Sequence, residues 1–138
     1  MLQDTRNALQ ILDSRQLTCA VCRGDLIYTA QERGVAPLLS WLDSGPNLTG
    51  FCAADRVVGR GAAFLYCLLG VREVYAHVMS RPAVQVLEAH GISCHSDMLV
   101  DGIINRKGTG PCPMEEAVID IHEPNAALTA IRNRLAQM

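Results

Sequence analysis

The chain has 138 residues, which fits a single domain, residues 1–138, built around one core. Apolar residues make up 49% and charged residues 19%, which excludes a disordered segment; a net charge of −2 and an aromatic content of 4% provide neither the basic face nor the stacking platforms that nucleic-acid binding demands. No apolar run approaches the ~20 residues of a membrane span, and "MLQDTRNALQILDSRQ" carries acids and no long apolar stretch, so neither a membrane nor a signal peptide is expected and the cytoplasm is the expected location.

Residues 3–14 place Leu9, Ile11 and Leu12 at helical spacing. "LTCAVC" and "LIYT" flank Arg23-Gly24-Asp25, the signature of a tight hairpin. "VAPLLSWLDS" reads as a short helix closed by Gly45-Pro46, and "GFCAA" as a short apolar strand or approach segment. Residues 55–69 read as one helix, apolar nearly all round, capped by Asp55 and ended by Gly70. Gly59 and Gly61 weaken such a helix by up to ~1 kcal/mol each, so a close neighbour, either backbone or ligand, is expected to offset them.

"EVYAHVMS" is a buried strand, with Ser80 placed to cap the helix that Pro82 opens and Gly91 stops. "ISCH" continues as a strand that "MLVDGII" extends. Helices follow from about Pro113 and over 124–136. The order α-β-β-α-α-β-α-β-α-α implies an antiparallel hairpin followed by strands paired in parallel through crossover helices, in a mixed sheet covered on both faces.

Six cysteines are many for this length; in a reducing compartment they are buried hydrophobes or thiols more often than disulfides. Cys67 reads as core. Cys19 and Cys22 stand three apart on a strand and point to opposite faces, which disfavours a shared metal or a redox pair. Of the histidines, His77 reads as a satisfied strand residue, His90 as a favourable group at a helix C-terminus, and His122 as exposed.

The densest chemistry lies in "NRKGTGPCPMEE", residues 105–116. Pro113 fits a first helical turn, which puts Cys112 at or beside the N-cap and Glu115 and Glu116 in the first turn. Gly108 and Gly110 let the backbone turn tightly, and Arg106 and Lys107 add positive charge. The segment is either an ornate helix entry or an anion cradle in which Cys112 is a candidate nucleophile. Asp55, Arg56 and Arg60 add charge to the start of an otherwise apolar element, and the two segments together indicate one polar pocket.

"ADRVVGRGAAFLY", "VREVYAHVMSRPAVQVLEAHGI" and "NRKGTGPCPMEEAV" resemble the domain-of-unknown-function family 1893 over roughly residues 15–135. The resemblance implies an α/β fold, a cytidine-deaminase-like three-layer α/β/α sandwich with a mixed five-stranded sheet, and no established activity. Zinc deaminases carry H-x-E or C-x-E at one helix start and P-C-x-x-C at the next. Here the spacing is Cys52-x-x-Asp55, the stretch from Ser80 to Val86 has no cysteine, and "PCPME" has Glu115 in place of the second cysteine. No metal and no cofactor are therefore expected.

These residues point to a small-molecule-binding domain whose ligand is anionic or nucleotide-like. The candidate binding residues are Arg56, Gly59, Arg60, Ser80, Asn105, Arg106, Gly108, Thr109 and Gly110. The alternatives are a zinc-independent enzyme with Cys112 as nucleophile and Asp55 or Glu115 as its acid-base partner, a metal site built from Cys52, Asp55 and Cys112, and a purely structural or interaction module. A homodimer contact through the apolar helix "AAFLYCLL" is a further expectation. The 105–116 segment is expected to fold over the strand ends that carry Asp55 and Ser80, so that Cys112 and Glu115 share a pocket with Asp55, Arg56 and Ser80.

Overall fold

A computed structural model describes residues Met1–Met138. Helix α1 (Gln3–Ser14) leads into the hairpin β1 (Cys19–Arg23) and β2 (Leu26–Ala30), whose turn has Gly24 at φ +58°. After α2 (Ala36–Ser44) the chain alternates: β3 (Cys52–Val58), α3 (Arg60–Leu69), β4 (Glu73–Ser80), α4 (Arg81–Ala89) and β5 (Ser93–Val100). Two helices close the chain, α5 (Pro113–Ala117) and α6 (Pro124–Ala136). The result is a mixed α/β fold with six helices and one five-stranded sheet of order β2-β1-β3-β4-β5. β1 pairs antiparallel with both β2 and β3, whereas β3, β4 and β5 run parallel through the crossover helices α3 and α4. No helix is long and apolar enough to cross a membrane.

The sequence pattern misplaces one boundary. Asp55 is not a helix cap: it sits inside β3, in register with Cys19 of β1 and Ala76 of β4, and α3 starts at Arg60 with Gly59 as its N-cap residue. "CAADRVV" has no decisive periodicity. Ladder partners on both sides, together with the β-branched pair Val57-Val58, override the helix tendency of its alanines. The strand between α2 and α3 therefore takes in the end of "GFCAA", expected as a strand or approach segment, and the first residues of the helix expected over 55–69.

Local signals set the other ends. Gly70 at φ +75° closes α3, its N–H donating to the Tyr66 carbonyl. The Ser80 hydroxyl accepts from the Ala83 amide and caps α4. The two sheet faces carry separate cores. Cys19, Val21, Ala53, Val74 and Ala76 face the main core under α2–α6, and Ala20, Cys22, Ala54 and Tyr75 meet Ala8 and Leu12 of α1. Cys19 and Cys22 thus do point to opposite faces. Helix α3 lies in the middle of its layer against α2, α4, α5 and α6, with Ala63, Phe64, Leu65, Tyr66 and Leu69 buried. The apolar face considered for a subunit contact is consumed inside the chain.

Helix α1 is tied to the sheet by one buried carboxylate. Glu73, 3% exposed, accepts from the Leu2 amide at 2.8 Å and from the Thr5 hydroxyl at 2.6 Å, with His95 Nε2 at 3.3 Å. Burial pushes its pKa up, but the donors outweigh that and hold it below the ordinary value. Replacing Glu73 with Ala strands the Thr5 hydroxyl and is expected to cost about 1–3 kcal/mol in urea unfolding at pH 7. Because the folded pKa is depressed, this stabilisation is present above the unfolded value and is lost as the pH falls through the folded one, so the gap between variant and wild type narrows in acid.

Candidate functional site

A cavity of about 290 Å³ opens beside the carboxyl-terminal half of β3, between the starts of α2 and α3. Ile103 and the Cys112–Glu115 segment form its far side. Its walls include Val35, Leu38, Ala62 and Met114, and its polar groups come from Cys19, Asp55, Arg56, Cys112 and Glu115, with exposed Arg33 also at its wall. Its size is at the small end of ligand sites, and its place, outside the carboxyl end of a parallel strand, is where α/β folds hold ligands.

Asp55 is the polar centre. Its Oδ2 accepts from the Tyr66 hydroxyl at 2.6 Å, and its Oδ1 accepts from the Arg56 amide at 2.7 Å. Behind it, the Cys19 thiol lies 3.2 Å from the same Tyr66 oxygen. Burial raises the Asp55 carboxyl to about 6, and the hydrogen bonds from Tyr66 and the backbone counteract it only in part. The Cys19 thiol and the Tyr66 phenol are both pushed up, first by burial and then by the Asp55 charge. In this trio the proton that moves near neutral pH is the carboxyl's.

Glu115 has a different task. Its two oxygens accept from the amides of Arg60 at 2.8 Å and Gly61 at 2.9 Å, so it caps α3 from 54 and 55 residues away. Gly59 makes room for it. A Cβ there would stand 2.3 Å from the Glu115 carboxylate, and one on Gly61 would meet the Met114 carbonyl at 3.3 Å. The close neighbour that offsets the two glycines is therefore this segment. The pair of N–H groups open to an external anion at the head of α3 is already filled by the protein's own carboxylate.

Two of the arginines considered at this site, Arg56 and Arg60, are committed. Arg56 donates to the carbonyls of Leu17 at 2.7 Å and Leu12 at 3.2 Å and pairs with Asp13 at 3.6 Å. Arg60 lies 5.1 Å over the Phe64 ring, donates to the carbonyls of Val118 and Ile121, and touches His122. Ser80 is buried as the α4 cap and does not line the cavity. Asn105–Gly110 forms a closed turn. The Asn105 amide donates to the Gly110 carbonyl, the Gly108 amide to the Asn105 carbonyl, and the Thr109 amide to Asn105 Oδ1 at 3.1 Å. Gly108 adopts φ +70°, and Arg106 and Lys107 stand exposed away from the cavity wall. Cys112 is the residue ahead of α5 and lines the cavity, its side chain making no cap bond.

Asp55, Arg56, Gly59, Cys112 and Glu115 thus lie along one cavity, whereas Arg60, Ser80 and residues 105–110 do not. Sequence reasoning missed Tyr66, Cys19 and Arg33. The legible signal was Tyr66, a phenol inside an apolar helix, which needs a buried partner. No group of three His, Cys, Asp or Glu side chains is arranged to hold a metal ion. Of the helix starts that meet at the cavity, Gly34-Val35-Ala36-Pro37 and Val58-Gly59-Arg60-Gly61 contain neither histidine nor cysteine and that of α5 supplies the single Cys112, so the residues present do not fit a deaminase zinc site.

The cap makes a sharp double-mutant test. Gly59→Ala displaces Glu115 and is expected to cost about 1–2 kcal/mol, the worth of a lost cap. In a Glu115→Ala background the same change is expected to cost only a few tenths of that, because the clash and the cap vanish together. Denaturant midpoints of the four proteins measure the coupling, and additive costs exclude the contact.

No curated protein matches the chain. Among solved structures, the crystal structure of a DUF1893 family protein (TM1506) from Thermotoga maritima superposes with a TM-score of 0.85, at 24% identity, over 100% of this chain and 92% of that one. At that identity the likeness speaks for the fold alone. The family model described as a domain of unknown function (DUF1893) matches residues 7–135, nearly the whole chain, and the protein belongs to that family.

Proposed function

We propose that this is a small-molecule-binding domain built on a cytidine-deaminase-like three-layer α/β/α sandwich without the zinc site, and that its ligand sits in the Asp55–Glu115 cavity. The mixed sheet with packed helices on both faces supports the fold reading. The observation that carries the binding reading is Asp55, a carboxyl raised to about 6 at the wall of a largely apolar cavity. Of an anionic or nucleotide-like ligand, the nucleotide-like part fits best. The head of α3 is closed to anions by Glu115, and the guanidiniums of Arg56 and Arg60 are held by carbonyls. Besides the exposed Arg33 at its wall, the cavity offers the Asp55 acceptor, which suits an apolar heterocycle bearing N–H or NH₂ donors, as in a nucleobase.

Calorimetry with nucleosides and sugar phosphates at pH 5 and 7.5 tests this. Donor-bearing heterocycles are expected to bind more tightly at pH 7.5, where Asp55 is ionised, and Asp55→Asn is expected to weaken them about tenfold, or about 1.4 kcal/mol. Binding of sugar phosphates alone, or binding indifferent to both pH and Asp55→Asn, sinks the reading. A second reading follows from Cys112 lining the same cavity: a zinc-independent enzyme with this thiol as nucleophile and Asp55 as proton acceptor. It requires Cys112 to be alkylated by iodoacetamide faster than the other half-buried thiols, Cys67 and Cys94.

A further inference from the structure

We propose that two copies of this chain join edge to edge along β5, antiparallel about a two-fold axis at Ser96, to form one continuous ten-stranded sheet. β5 is an end strand of the sheet, bonded to β4 on one side only, and at eight residues it is longer than β2 at the opposite end, which has five. It contains no proline, lysine or arginine, the usual guards of a free edge. Its side chains are open to solvent, with Met98 58% and Leu99 42% exposed.

The occupant follows from the strand's own complementarity. A two-fold interface brings the same surface to itself, and a continuous sheet requires opposed residues to share a face. His95 and Asp97 lie on the face that carries Tyr75 and His77, and Cys94 lies on the face of the main core. With Ser96 opposite itself, each His95 stands opposite the partner's Asp97, and each Cys94 opposite the partner's Met98. The interface thus gains two imidazole–carboxylate pairs on one face and two thiol–thioether contacts on the other, with no like charges opposed. His95 uses only Nε2 within the chain, toward Glu73, which leaves its Nδ1 free, and the Asp97 carboxylate, held by Tyr75 and by His77 at Oδ2, has further lone pairs to accept from the partner's imidazole. β2 has no charged residue with which to pair, so the opposite edge offers no such match.

Sedimentation equilibrium of the full chain is expected to show a dimer. Ser96→Lys places two ammonium groups face to face on the axis and is expected to give a monomer with an unchanged circular-dichroism spectrum. Ser96→Cys places two thiols on directly opposed residues, about 4.5–5.5 Å apart at Cα, within disulfide reach, so diamide is expected to produce a covalent dimer well above that of the wild type treated alike. A monomeric wild type overturns the proposal, and so does a dimer that survives Ser96→Lys. If Ser96→Lys does not fold, the cysteine variant decides: no covalent dimer beyond the wild-type level rules out this register.

Discussion

The structure around the cavity depends on the Glu115 carboxylate accepting from the amides of Arg60 and Gly61. The first amides of a helix have no partner within it, and α3 is a packed central helix whose head lies half-buried. The cap is taken from another part of the chain, which can approach only because Gly59 has no side chain. That one contact fixes the polypeptide after β5. It sets α5 against the head of α3, carries Cys112 to the cavity wall, and lets Arg60 reach the carbonyls of Val118 and Ile121 at the end of α5.

The same contact decides the electrostatics of the cavity. A glycine-bearing helix head with arginines beside it is a plausible anion site until its partners are counted. Glu115 takes the helix amides, Arg56 ties β3 to the end of α1 and to Leu17, and Arg60 closes α5. Arg56 and Arg60 are struts, and the cation left at the wall is the exposed Arg33. The buried polar group of the cavity is Asp55, whose carboxyl is destabilised as an anion by burial and only partly relieved by Tyr66.

On the opposite face, the far end of α1 is held by a histidine. His77 has Asp13 of α1 at 2.8 Å from Nε2 and Asp97 of β5 at 2.8 Å from Nδ1. A neutral imidazole has one N–H, so both contacts are donated only by the cation, and these carboxylates, Asp97 first, raise the pKa of His77. The end of α1 is therefore linked to β5 across the sheet by a charge, while its start is anchored by the buried Glu73.

What the sequence alone determined was what neighbouring residues can enforce. The hairpin at Arg23-Gly24-Asp25, the stop at Gly70, the Ser80 cap with Pro82 behind it, and the opposed faces of Cys19 and Cys22 all follow from backbone sterics, caps and strand periodicity within a few residues. Residues 55–58 were misread for the converse reason. A short apolar run is a helix or a strand according to what lies beside it, and only β1 and β4 supply that. The tertiary structure likewise decided that Asp55 faces Tyr66 from a strand, that Glu115 caps a helix it does not belong to, and that Arg56 and Arg60 serve the backbone. Each of the last two depends on contacts 39–62 residues apart in the chain, where sequence spacing carries no distance information.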